Sequence, residues 1–351
     1  MTTRKTSSLK GSKSPHIFRH LIPAKPTVVY ETYWRFAAER QAIFFKRAQG
    51  ATSPWTNDPI LKQYKFTNVY RASDRVSQYL IRNVIYRGDQ SATEVFFRIV
   101  LFKVFNKIET WQLLERKLST ITYSEYSFNR YDEILNNALK GRLGVFSGAY
   151  IMPSGCSSFG HRQKHRNLLM LIENMMADNI PLRITETFSM QKAFELLRSY
   201  PMLGDFLAYQ LVTDINYSEL TNFTEMDFVV PGPGARNGIR KCFESIGGLN
   251  EVEIIRLMVD KQEDEFKHFG LEFKSLWGRP LHLIDCQNLF CEVDKYARIA
   301  HPEIKGASKR KRIKQLFRPK QDQIEYWYPP KWGLNKYLQA QGQANDKDKL
   351  F

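Results

Sequence analysis

At 351 residues, 43% hydrophobic and 25% charged, the chain has the composition of a folded globular protein, which excludes a fibrous or wholly disordered one. Its formal net charge of +16 is unevenly placed: residues 1–27 carry six Lys and Arg and no acid, and residues 305–320 carry eight and no acid. Two basic flanks on a nearly neutral body from 28 to 304 suit attraction to the phosphates of a nucleic acid.

Taken in chain order, residues 1–27 mix Ser, Thr, Lys and Pro and read as a basic disordered tail. From Val28 the apolar residues Tyr30, Tyr33, Trp34, Ala37, Phe44 and Phe45 recur at three- and four-residue steps, predicting a helix that Gly50 ends. Further helices are predicted over 72–86, 91–118, 129–140, 162–178, 189–199 and 204–215, with short extended pieces near 144–151 and 182–187. A Gly/Pro turn, Phe228-Val-Val-Pro-Gly-Pro-Gly-Ala-Arg-Asn-Gly238, leads into Ile239–Phe243. One more helix fits 250–269, and Pro280–Asp285 leads into the last. Residues 305–351 form a basic, then polar, C-terminal tail. No alternation of strands and helices suggests a parallel sheet, so the fold class is mainly α with a few short strands.

No apolar run reaches the roughly 18–20 residues that a membrane span needs, and the basic N-terminus lacks the apolar centre of a secretory signal. Four cysteines, Cys156, Cys242, Cys286 and Cys291, are too few and too irregular for a disulfide framework. The expectation is a soluble intracellular protein without a membrane partner: nuclear in a eukaryote, where Lys309–Lys314 reads as a targeting cluster, cytoplasmic or nucleoid-associated in a bacterium or phage. The spacing of Cys156, His161 and His165 departs from the tight pairs of zinc sites, and neither a metal nor a cofactor is expected.

Three groups of residues are candidates for chemistry. The turn at Gly232 and Gly234, followed by Arg236, Arg240 and Lys241, has the form of a helix-hairpin-helix element near 228–243. There, glycines let backbone N–H groups approach a DNA phosphate. An ordinary turn between helices has the same composition. Downstream, Asp285 stands at a helix start, where helix-hairpin-helix DNA glycosylases carry a catalytic Asp. It reads either as a base near an extruded nucleotide or as a helix cap.

The third group lies in Tyr33–Gln41, Pro54–Pro59 and Tyr64–Leu80. Among large aromatics, Arg40, Arg71 and Arg75 suit two-pronged phosphate binding, Trp55 suits stacking on a flipped base, and Asn68 and Gln78 suit reading its edge. Glu39 offers a second carboxylate for proton transfer. Composition alone favours a buried salt-bridge network in which Glu39 or Asp74 pairs with arginine.

This run, continued through the Leu283–Arg298 block, resembles the helical domain of 5-hydroxymethyl-deoxyuridine DNA kinases. It also resembles their relatives, once called glutamyl/putrescinyl-thymine pyrophosphorylases and now viewed as amino acid:DNA transferases. The resemblance implies a multi-helix DNA glycosylase-like fold and a DNA substrate. The base would be a 5-hydroxymethyluracil already activated, by a separate kinase or hydroxylase, onto whose methylene an amino acid or amine is transferred. No Gly-x-x-x-x-Gly-Lys-Ser/Thr loop occurs in these residues, so the resemblance does not extend to ATP-dependent phosphoryl transfer. A non-catalytic reader of modified bases and a glycosylase that excises them are the alternatives.

Overall fold

A computed structural model describes residues 22–308, 310–318 and 325–338. The first helix, α1 (Val28–Ala48), is capped by Thr27, whose hydroxyl accepts from the Val29 amide at 3.1 Å. It is buried on most sides, from Tyr33 and Trp34 to Phe44, which places it in the centre of the molecule. Short helices α2 (Pro59–Gln63) and α3 (Arg75–Tyr79) follow, α3 continuing into a wider, π-type turn over Leu80–Ile85. The expected helix at 91–118 is two, α4 (Ala92–Phe105) and α5 (Ile108–Leu118), because Asn106 turns left-handed at φ 47° and closes α4. Helix α4 is apolar on every side and buries even Arg98 and Lys103.

Next come α6 (Phe128–Lys140), α7 (Cys156–Phe159), α8 (Lys164–Ala177), α9 (Ile180–Thr185), α10 (Met190–Arg198) and α11 (Asp205–Ile215). The segment 182–187, expected to be extended, belongs mostly to α9, where Pro181 sits in the first turn and sets a helical φ. No strand forms at 144–151. The Gly/Pro turn opens α12 (Pro233–Cys242), and α13 (Glu251–Asp260) starts on a reciprocal cap between Asn250 and Glu253. Where a single helix was expected over 250–269, a break at Lys261 separates α13 from α14 (Gln262–His268). The longest late element is α15 (Leu283–Ala300).

Among the described residues two short strands pair with each other: β1 (Lys25–Pro26) lies antiparallel to β2 (Phe243–Ser245). Order thus reaches upstream of Val28, into residues expected to be a tail; 1–21 lie outside the described residues. The C-terminal region also contributes to the fold. Lys65 donates its amide to the Gln315 carbonyl at 3.0 Å, and Phe317 donates to Gln63 at 2.9 Å. Tyr328 is fully buried, its hydroxyl 2.8 Å from that of Ser73, and Ile313 and Leu334 also join the core. Aromatic residues there find apolar partners among α1 and the loops, and their burial outweighs the polar character of their neighbours.

Helices α12 and α15 pack closest of all. A Cβ on Gly238 would overlap the Phe290 carbonyl, and one on Gly234 would lie 3.0 Å from the Cys291 sulfur. A Cβ on Gly232 would meet the Phe206 ring at 2.6 Å. Protein therefore stands where a side chain on each of these glycines would go. The fold is mainly helical, as expected, and the glycines serve contact between helices.

Among the described residues, no helix is long and apolar enough to cross a membrane.

Candidate functional site

The sequence candidates fall in two places along α15. Asp285, in the first turn, accepts from the His282 amide at 3.1 Å and from the Arg71 amide at 2.9 Å. Both carboxylate oxygens are thus held by backbone donors, which is the capping alternative, and the same bonds dock the 68–74 turn onto α15. Burial, and then Glu225, push the Asp285 carboxyl up; His282, Arg279 and the Arg71 amide pull it back. Next to it Arg279 pairs with Glu225, lies 2.9 Å from His282 Nδ1, and stacks 3.7 Å from the centre of the Trp332 ring.

Arg71 is buried and forms a 2.6 Å ion pair with Asp214, with further bonds to Gln210 (2.9 Å) and the Tyr217 hydroxyl (2.9 Å). Lys103 reaches the other Asp214 oxygen at 2.6 Å. This is the buried network that composition suggested, but its acid is Asp214 on α11 instead of Glu39 or Asp74. Burial lowers the Lys103 ammonium to about 8 despite Asp214 beside it. Asn68 donates to the Ser73 carbonyl and Gln78 to the Ala72 carbonyl, at 2.7 and 2.8 Å, so both amides tie the turn together. Arg75 is exposed, 3.6 Å from Glu109. Of the hairpin cations, Lys241 is buried 3.0 Å from Asp294, whereas Arg236 and Arg240 are exposed.

The second place is about 16 Å further along α15, eleven residues at 1.5 Å each. Here Tyr296 donates to Asp58 at 2.6 Å and anchors the 51–58 loop across from α1. Between them opens a groove of about 940 Å³ whose lining includes Arg35, Glu39, Lys46, Trp55, Asp58 and His301. Glu39 accepts a hydrogen bond from the Thr56 hydroxyl. Trp55 donates Nε1 to the Ala51 carbonyl at 2.7 Å, and the Arg47 guanidinium lies 5.0 Å over its ring. The structure thus brings Glu39 and Trp55 together at an open site and leaves Asp285, Arg71, Asn68 and Gln78 in the packed interior around the 68–74 turn.

On the far side of the Trp55 loop a smaller cavity of about 160 Å³ is lined by Arg40, Arg47, Leu61, Tyr64, Phe66 and Phe317, among others. Arg40, the third arginine of the sequence cluster, donates Nε to the Thr67 carbonyl at 2.9 Å and Nη2 to the Phe66 carbonyl at 3.4 Å. Arg47, Asp58, Tyr296 and Phe317 were not singled out in the sequence. Arg47 extends the helical period past Phe44, but the loop partner that makes it useful lies eight residues on, and Tyr296 and Phe317 come from distant segments. The loop–helix spacing holds no signal for such a meeting. Cys156, His161 and His165 form no metal cluster: among the described residues no three His, Cys, Asp or Glu side chains gather to hold a metal ion. His165 instead sits buried 2.8 Å from Asp132.

Comparison with known proteins gives this arrangement a context. A curated relative, described as "5-hmdU DNA kinase" from Bacillus phage SP10, is 26% identical over 327 residues. That match covers 88% of this chain and 51% of the relative, so the chain spans about half of the relative's length. No solved structure matches significantly. The model of the family described as "5-hmdU DNA kinase, helical domain" matches residues 27–306, from the cap of α1 to just past the end of α15. The chain therefore belongs to the family of 5-hmdU DNA kinase helical domains.

Proposed function

We propose that the chain takes part in modifying 5-hydroxymethyluracil in DNA, and that it transfers an amino acid or amine to the base's methylene carbon. Its membership of the 5-hmdU DNA kinase helical-domain family carries this reading. The substrate is a base whose hydroxymethyl oxygen already bears a pyrophosphate, supplied by a separate activating enzyme. The donor nitrogen attacks the methylene carbon, the carbon–oxygen bond breaks, and pyrophosphate leaves with the bonding electron pair. The proton lost by the nitrogen passes to Glu39, and the cations Arg35 and Lys46 on the same groove offset the charge of the leaving group. Trp55 supplies an aromatic face for a base drawn out of the helix.

The DNA strand reaches this groove past a basic segment. Arg310, Lys311, Arg312, Lys314 and Arg318 are exposed, and the segment is fixed by buried Ile313 and by its pairing with residues 63–65. Asp285, Arg71, Asn68 and Gln78 act in this scheme by positioning the turn that carries the groove's neighbours. Arg236 and Arg240 extend the basic surface.

The experiment is mass spectrometry of nucleosides from DNA containing pyrophosphorylated 5-hydroxymethyluracil, incubated with the protein and pooled amino acids and amines. A heavier nucleoside that disappears with Glu39→Gln supports the transfer. Intact, unmodified DNA with salt-sensitive binding identifies a reader module instead, and abasic sites identify a glycosylase.

A further inference from the structure

The small cavity beside Trp55 holds an electrostatic imbalance. Arg40 is 8% exposed, yet among the described residues it makes no ion pair. Two of its nitrogens serve backbone carbonyls, and Asp74 and Glu292 act on it only at longer range. A buried guanidinium without a carboxylate partner is costly unless an anion completes it. Arg47 and Lys62 line the same cavity, Arg47 also without an ion pair among the described residues, and among those residues no acid lines it. The acids lie across the wall. Pro54, Trp55 and Thr56 are common to the cavity and the groove, and Glu39, Asp58 and Glu272 stand on the groove side.

Apart from Ser53, the remaining walls are apolar: Ile43, Leu61, Tyr64, Phe66 and Phe317. At about 160 Å³ the space matches a cavity that takes up one benzene-sized group. A base, sugar and phosphate together exceed it. A small carboxylate with a short apolar side chain does not.

We propose that this cavity is the donor subsite, and that it binds a free amino acid by its carboxylate between Arg40 and Arg47. The inference rests on the transferase reading and gives its donor a binding site apart from the groove. Placed so, the carboxylate lies between the two arginines, and the rest of the amino acid packs against the Pro54–Thr56 wall that the cavity shares with the groove. A phosphate group would use the same two arginines, so the test separates the two anions.

The test is isothermal titration calorimetry on the full chain with glycine, alanine, serine, glutamate, putrescine, inorganic phosphate and free 5-hydroxymethyluracil. At least one amino acid is expected to bind, with putrescine silent. Arg47→Gln at the cavity mouth should weaken that binding about tenfold, the loss of one charge-assisted contact. Phe317→Trp should abolish it by filling the space. Circular dichroism confirms that both variants fold, and Arg40→Met serves only if it does too. Amino-acid affinity unchanged in both variants overturns the proposal. So does binding of phosphate or of the free base with no amino acid competing. Amino-acid binding that is lost in these variants, in a protein that leaves DNA unmodified, upholds the subsite and sinks the transferase reading.

Discussion

Arg71 and Arg40 look alike in the sequence and live in opposite electrostatic settings. Arg71 shares Asp214 with Lys103 in the core, so Arg71→Met leaves a buried carboxylate with one partner and is expected to destabilise the fold by about 3–5 kcal/mol. Urea denaturation measures this, and a variant as stable as wild type would contradict the network. Loss of activity in such a variant reports unfolding, not lost phosphate binding. Asp74 supplies a pH prediction. Burial pushes its carboxyl up to about 7, against the Asn68 amide that pulls it down and with Glu292 adding to the rise. The folded state therefore holds a proton that the unfolded state has released between the ordinary carboxylate value and about 7. This contribution is fully present at low pH and is lost as pH rises through that window. Asp74→Asn keeps an acceptor oxygen for the Asn68 amide, 2.7 Å away, and should flatten this part of the stability–pH curve. An unchanged slope in thermal melts between pH 4 and 7 would rule out the assignment.

At the scale of elements, the α12–α15 contact depends on having no side chain at Gly238. Gly238→Ala forces the helices apart or bends α15 at Phe290, and overpacking of this kind costs about 1–3 kcal/mol or more. The expected result is a lower melting temperature, with Gly234→Ala milder because its neighbour is the Cys291 side chain and not backbone. The helices were legible wherever an apolar period ran unbroken, as in α1, α8 and α11. What was not legible follows from context. Asn106 breaks the 91–118 run by its own left-handed turn, and residues 182–187 carry strand-like composition but follow a proline that starts a helix. The candidate site divides in the same way. Glu39 and Trp55 were readable as an acid and an aromatic among cations, whereas the partner of Arg71 lies 143 positions away on α11 and no local spacing encodes it. Asp285 looked catalytic because a carboxylate in the first turn of a helix serves capping and catalysis with the same geometry.

For the molecule as a whole, charge and family boundary part company. The family match ends at residue 306, but the basic segment 310–318 and the aromatic segment around Tyr328 pack onto the matched body. If 310–318 lies along the DNA backbone, replacing Lys311, Lys314 and Arg318 by Gln should reduce the slope of log affinity against log salt by about 2–3 for duplex DNA. Titration by fluorescence anisotropy at several salt concentrations reads this, and an unaltered slope would move the DNA contact elsewhere. Removing everything after residue 324 takes Tyr328 and Trp332 from their pockets and should lower the melting temperature, although the family match stops well before them. The position of Trp55 has one more consequence. Of the six tryptophans, it alone lines both cavities, with a guanidinium held over its indole, while Trp34 and Trp111 are sealed in the core. Its emission is an intrinsic optical gauge of occupancy: a ligand on either side of the ring changes both its colour and its accessibility to a quencher, with no label attached.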